Sequence, residues 1–506
     1  MGSWGGDSLT QDLNVGYNEA DTTWVMIAGC LVWLMIPGIG IFYAGLARKK
    51  HAITLVWEGM AVLCVVFFQW FFWGYSFTFS HEAGTFWGKL DNFALMKVLA
   101  EPSVGSSAVP DIVFMFFQGQ FACVTAIILV GGAHERARLG PLLVFVFIWI
   151  TIVYCPIAEW TWNPSGWLSK LGALDFAGGG PVHMSSGVGA LAYSLICGKR
   201  KDPAALDKVP MYKPGSMLLV VIGTIFLWFG WFGFNGGSTG NASLRSWYAI
   251  ANTNLAAVVG GLVWMFIDFA KTRKWSTVAI CSGALAGLVG ITPAAGFVPI
   301  YTAVAIGATT AAICNFAGYL KYYIQIDDGL DVFSIHGIGG AVGSILTSFF
   351  AADYISHLDG STIAKGWMNH HFVQLPYQLA AIGAVYGWSF VVTSLLLLIM
   401  NYIPYMKLRM SEEDEMLGSD MAQLAEYGML YESNSNGNEG LFAMGTRTNY
   451  EGFNDVYQYR ADSVRFPEQA PKKESSPNES ESAADNDNVS NVTAEESSST
   501  PHPVAN

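Results

Sequence analysis

The stretch Trp24–Leu46 reads WVMIAGCLVWLMIPGIGIFYAGL, without one Asp, Glu, Lys or Arg. About 20 apolar residues in a helix span the hydrocarbon core of a bilayer, so this stretch predicts a transmembrane helix. Ten more segments follow on the same reading: Ile53–Phe79, Ile112–Gly132, Pro141–Ala158, Val182–Cys197, Ser216–Asn235, Tyr248–Ala270, Ser276–Ile291, Ile300–Tyr319, Val332–Phe350 and Leu375–Pro404. The expected fold is an all-α membrane protein with eleven transmembrane helices. Composition points the same way. Of 506 residues, 52% are hydrophobic and 13% charged, against about 25% charged in average soluble chains. So few charges could not cover a water-soluble surface of this size. The counts of Gly (55) and Trp (18) suit close helix packing and interfacial anchoring.

Charge placement tests the segmentation. With the N-terminus outside, the cytoplasmic connections hold fourteen Lys and Arg, from Arg48, Lys49 and Lys50 through Arg136, Arg138 and the Lys199–Lys213 loop to Lys321. The opposite side holds five: Lys89, Lys97, Lys170, Arg245 and Lys365. The positive-inside rule therefore selects an extracellular N-terminus and, after an odd number of crossings, a cytoplasmic tail. The N-terminus lacks a basic region and a cleavage pattern before Trp24, so insertion is expected to start at the first helix. The expected divisions are an extracellular N-terminus (1–23), the transmembrane domain (24–404), a partly docked cytoplasmic region (405–466) and a disordered acidic, Ser-rich tail (467–506). The net charge of −13 arises largely after Met410. No basic patch suggests nucleic acid. The seven cysteines sit in or beside apolar runs without CxxC or zinc spacing, so they read as small membrane-core residues, and no metal or cofactor is expected.

An ionisable residue within a membrane helix is costly and marks a functional hypothesis. His183 and His336 are such residues, each set among Gly, Ser and Ala. The other histidines, His51, His81, His134, His357, His370, His371 and His502, fall in loops or the tail. Two imidazoles can form a polar chain through an apolar pore; alternatively, each bonds a neighbouring carbonyl. Asp175 precedes the His183 helix and Asp331 the His336 helix, either as caps for free N–H groups or as cation ligands. These helices are the fifth and tenth, which hints at two inverted five-helix repeats plus an extra C-terminal helix. Trp160, Trp162 and Trp167, with the run Trp228–Ser238, supply aromatic faces and a hydroxyl for a small cation, or simply anchor the interface.

Taken in order, Gly38–Leu46, Phe117-Gln118-Gly119-Gln120-Phe121-Ala122-Cys123, Asp175-Phe176-Ala177-Gly178-Gly179, Trp231-Phe232-Gly233-Phe234-Asn235 and Asp331–Gly337 make the chain similar to the ammonium transporter (Amt/Mep/Rh) family. It most resembles the fungal Mep-type permeases. The resemblance covers the membrane region and implies a plasma-membrane homotrimer, with a narrow pore in each protomer, that serves nitrogen uptake. It implies external recruitment of ammonium at Trp162 and Ser238, with Phe117 beside them and Asp175 in support. Trp167 is a weaker candidate, because the loop is one residue longer than in bacterial relatives. Phe121 and Phe234 match the stacked pore gate, and His183 and His336 the paired pore histidines. Bare ammonium is costly to desolvate, so deprotonation is expected before passage, with the histidines bonding ammonia or relaying its proton. Membrane lipid and ammonium or ammonia are the expected partners.

Arg460-Ala461-Asp462-Ser463 reads as a basophilic kinase pattern, which makes Ser463 a candidate phosphosite. Asn241-Ala242-Ser243 is a glycosylation sequon on the outer side, where closeness to the pore mouth argues against occupancy, whereas those at Asn478, Asn488 and Asn491 fall in the cytoplasm and are expected to stay unmodified. A nitrogen sensor without transport and a channel for another small neutral solute are the competing classes. An intramembrane enzyme lacks HExxH, a second carboxylate pair or a nucleophile partnered with either histidine.

Overall fold

The computed structural model describes residues 5–201, 209, 212–361 and 364–425. The chain divides into units 1–445 and 446–506, and only the first contains described residues. Among these the architecture is helical, with two isolated β-bridges and no strand.

Among the described residues, nine helices are long and apolar enough to cross a membrane. They are α1 (Glu19–Leu46), α2 (Lys49–Phe79), α3 (Asp111–Ala133), α4 (Leu139–Leu171), α6 (Met217–Gly237), α7 (Leu244–Thr272), α9 (Ile300–Ile324), α10 (Phe333–Phe350) and α11 (Gln374–Tyr402). Two expected segments stand outside that set. Residues Ser185–Cys197, α5, continue a π-helical turn at Gly179–Met184, where His183, Ser185 and Ser186 lower the hydropathy. The other, α8 (Thr277–Ile291), spans 15 residues.

Asn18, Ser216, Ser243 and Ser276 cap α1, α6, α7 and α8, each side chain accepting a first-turn N–H that would otherwise lack a partner. Helices in lipid gain little from burying apolar surface against one another, so close contact between small residues carries their association. Helices α1 and α6 cross on such residues. A Cβ at Gly45 would lie 2.5 Å from the Val220 nitrogen, and one at Gly223 would lie 2.5 Å from that of Phe42. The contact of α7 with α8 follows the same rule at Gly260, Gly283 and Gly287. Helix α3 is almost wholly buried and forms the wall around which the site is built.

One end of the bundle carries the start of α1, Trp162 and Ser238; Trp24 Nε1 donates to the Gly236 carbonyl at 3.2 Å there. The other end carries the chain beyond α11. There α12 (Glu412–Leu417) and a turn at Asp420–Leu424 fold back onto the start of α2. The Asp420 carboxylate accepts the N–H groups of Ile53 (3.2 Å) and Thr54 (2.8 Å), and Ser419 Oγ lies 2.9 Å from His51 Nδ1.

His51 and His134, expected in loops, are buried at this end. The loops meet there rather than facing water. Glu135 pairs with Arg48 at 2.7 Å and Arg200 at 3.1 Å, and Arg200 pairs with Asp327 at 2.9 Å. Burial opposes charge on Glu135, yet His51, Arg200, His134 and Arg48 hold its carboxyl well below the usual range. Burial likewise opposes charge on Asp327, whose bonds to Arg200 bring it to about 2.

Candidate functional site

His183 and His336 each lie in a π-helical turn, Gly179–Met184 and Phe333–Ile338, a geometry often found at functional sites. The turns meet on glycines. A Cβ at Gly187 would lie 2.2 Å from the Gly337 nitrogen, and one at Gly340 would lie 3.3 Å from His183 Cβ. With nothing larger between the backbones, both buried rings reach each other, Nδ1 to Nδ1 at 3.2 Å.

Only one hydrogen can lie between two such nitrogens, so the rings adopt opposite tautomers. One Nε2 is then a donor and the other an acceptor, which makes a directional chain. His183 Nε2 has no partner among the described residues. Trp231 stacks on His183, with centroids 5.3 Å apart and planes at 20°. It is itself fixed by donating from Nε1 to Thr292 Oγ1 at 2.9 Å. The indole at Trp231, which in the sequence belongs to an aromatic run suited to a cation or to the interface, instead sets the plane of the imidazole.

Phe121 of α3 and Phe234 of α6 stack at 4.0 Å and 16°. Phe234 lies 6.1 Å from His183, so the ring pair adjoins the imidazoles. On the other side of Phe121 are Phe117 (4.8 Å) and Trp162 (6.0 Å, edge-on). Ser238 stands one turn beyond Phe234 and donates to its carbonyl at 2.8 Å, which leaves the hydroxyl oxygen able to accept. The Phe117 ring lies against Gly237. The chain thus places Trp162, Phe117 and Ser238 at one end of a file that continues through Phe121 and Phe234 to the imidazoles. Trp167 stands apart, 5.9 Å from Trp160, in a groove with Phe86 and Trp388.

Asp175 is a cap. Its carboxylate accepts the N–H groups of Gly178, Gly179 and Gly180 at 2.8, 2.7 and 2.6 Å. Gly178 turns the chain at φ +117°, a conformation that suits glycine. The Asp175 carbonyl accepts the Trp162 Nε1–H at 3.1 Å, so one residue fixes both the His183 turn and the Trp162 ring. Burial pushes its carboxyl up to about 6 against the pull of these N–H bonds.

The counterpart before α10 is not Asp331, which instead pairs with Lys321 at 2.7 Å. Asp328 accepts the N–H groups of Val332 (3.1 Å) and Phe333 (2.8 Å). Asp328 precedes His336 by eight residues, just as Asp175 precedes His183. Equal spacing to the histidine was the signal available in the sequence.

Beyond the histidines, a narrow apolar cavity bounded by Met35, Phe42, Val124, Ile128, Leu285 and His336 continues toward the charged end. The groups of side chains that could hold a metal number none among the described residues. Ser463 lies outside the described residues.

Residues 23–429 match the model of the Ammonium Transporter Family. The chain is 56% identical over 429 residues to ammonium transporter MEP2 of Saccharomyces cerevisiae, covering 84% of this chain and 86% of that protein. It is 53% identical over 433 residues to ammonium transporter 1 of Schizosaccharomyces pombe, covering 85% and 86%. Among solved structures it resembles Candida albicans Mep2, with a TM-score of 0.79 and 58% identity, covering 84% of this chain and 94% of that one.

Proposed function

The chain belongs to the ammonium transporter family as a fungal Mep-type, multi-pass membrane protein, and we propose that it takes up ammonium across the plasma membrane through the file ending at His183 and His336. In this reading α5 and α8 also cross, which gives eleven helices in inverted five-helix repeats plus α11. The Trp162 end faces outward and the docked tail lies in the cytoplasm. Three such chains form a homotrimer in the membrane lipid.

The observation that carries the proposal is the unbroken order of the file, from indole to stacked phenyls to paired imidazoles. A cation favours the faces of Trp162 and Phe117 and donates to the Ser238 oxygen. Stacked Phe121 and Phe234 offer it no hydrogen bond, so entry as ammonium forfeits hydration that ammonia holds far more weakly. The proton is therefore passed to external water above the rings, and Asp175 supports this step by fixing Trp162. Below them, ammonia exchanges hydrogen bonds with the imidazole pair, which also offers a route for a proton.

The test is labelled methylammonium uptake in cells lacking other permeases. His183→Ala and His336→Ala, normalised to surface protein, are expected to lose tenfold or more of wild-type rate, a change of about 1.4 kcal/mol or more in the barrier. Wild-type currents and selectivity over potassium in both variants would refute the pore role. A second role as an ammonium sensor belongs to the same proposal, with the docking of Ser419 and Asp420 on α2 as the contact through which the tail would act on the helices. Phosphate at Ser463 would add about −1.5 to −2 charge beyond that clasp. Unchanged uptake and signalling in Ser463→Asp would count against this regulation.

A further inference from the structure

Glu159 is fully buried on α4, and neither carboxylate oxygen has a hydrogen-bond partner among the described residues. Two other acids at this end of the bundle are engaged. Asp175 accepts three backbone N–H groups, and Asp111 accepts the Tyr75 hydroxyl.

Positions three and four apart share a helix face, so Glu159 shares one with Trp162, Asn163 and Cys155. Cys155 Sγ lies 3.6 Å from the Gly74 carbonyl, and Asn163 Nδ2 donates to the Thr78 and Ser80 carbonyls at 3.2 and 3.3 Å. Between these two residues, Glu159 lies against the outer end of α2, one turn deeper than Trp162. Asn163 also lines a recess with His81, Glu101, Ser103 and Ser165.

A buried carboxyl group without a partner either holds a proton or, when charged, needs a cation to compensate it. The recruiting side chains Phe117, Trp162 and Ser238 carry no charge, and Asp175 is committed to backbone bonds. We propose that Glu159 supplies the negative charge that holds the ammonium ion at the Trp162 site. This rests on the transport reading above and adds to it the group that makes the site selective for a cation. Attraction between unlike charges is strong where water is excluded, and the exposed Lys170 acts against it from the neighbouring turn.

The measurement is the concentration dependence of methylammonium uptake, per surface-labelled protein. Glu159→Gln, equal in size, is expected to raise KM about tenfold with Vmax changed by less than roughly twofold. Glu159→Asp restores the charge and is expected to stay within about threefold of wild-type KM. Lys170→Gln, a surface change that leaves folding alone, is expected to lower KM about twofold. Wild-type KM in both Glu159→Gln and Lys170→Gln overturns the proposal, as does a Glu159→Gln defect confined to Vmax. A wild-type protein without methylammonium uptake would overturn the transport reading as well. Normal wild-type uptake with unshifted variants removes Glu159 alone.

Discussion

At His183, two neighbours decide what the imidazole can do. Trp231 fixes its plane, His336 takes one nitrogen and the other has no partner among the described residues. That last nitrogen is the hydrogen-bonding position a small polar guest would use. Polar side chains elsewhere are legible by the same accounting. Asn241 heads a sequon, but its Nδ2 donates to Asp359 at 3.3 Å, its carbonyl accepts from Ser246, and Ser243 caps α7. A glycan on Nδ2 would displace the Asp359 contact, so Asn241 is expected to be unmodified. Endoglycosidase treatment should therefore give the same electrophoretic shift for wild type and Asn241→Gln. The motif alone could not show this, because Asp359 is 118 residues away.

Helices α5 and α10 can bring their histidines together only where their backbones nearly touch. Gly187→Ala would place Cβ 2.2 Å from the Gly337 nitrogen, and backbone cannot yield as a side-chain tip does. The expected cost is about 1–3 kcal/mol, read as a lower melting temperature in detergent together with reduced uptake. The opposite end of the bundle is held by charge. Asp327 has an ordinary value of 3.8 and is held at about 2 in the fold. Because the folded value is the lower one, its stabilisation is complete above about 4 and drains as pH falls toward 2. Proteolysis of the loops around Glu135 and Arg200 should accelerate across that window, and Asp327→Asn should remove much of the pH response. The histidines His51 and His134 belong to this cluster, although hydropathy alone places them in loops. A window average reads such a segment as polar whether its charges face water or one another.

For the molecule as a whole, the proposed orientation has a direct check. A C-terminal epitope should be inaccessible to antibody in intact cells and accessible after permeabilisation, while an N-terminal one should be accessible in both; the reverse pattern would invert the transport direction read from Trp162. Much of this level was already in the sequence. Charge-free apolar runs such as Trp24–Leu46 leave the backbone no partner in lipid except itself, so they determine helices locally. The intramembrane histidines stood out because ionisable groups are rare at that depth, and the family resemblance gave them an order with Trp162, Phe121, Phe234 and Ser238. Tertiary structure alone decided that Trp231 backs His183, that Asp420 caps α2, and that Glu159 is left unpaired; for Asp328, which caps the second π turn in place of Asp331, the sequence held only the matching eight-residue spacing to the histidine. Each depends on which distant backbone or ring arrives within about 3–5 Å, a range at which hydrogen bonds and ring stacking act. Hydrophobicity along the chain fixes which segments enter the membrane; partners between segments follow from glycine contacts and packing in three dimensions, which local sequence does not encode.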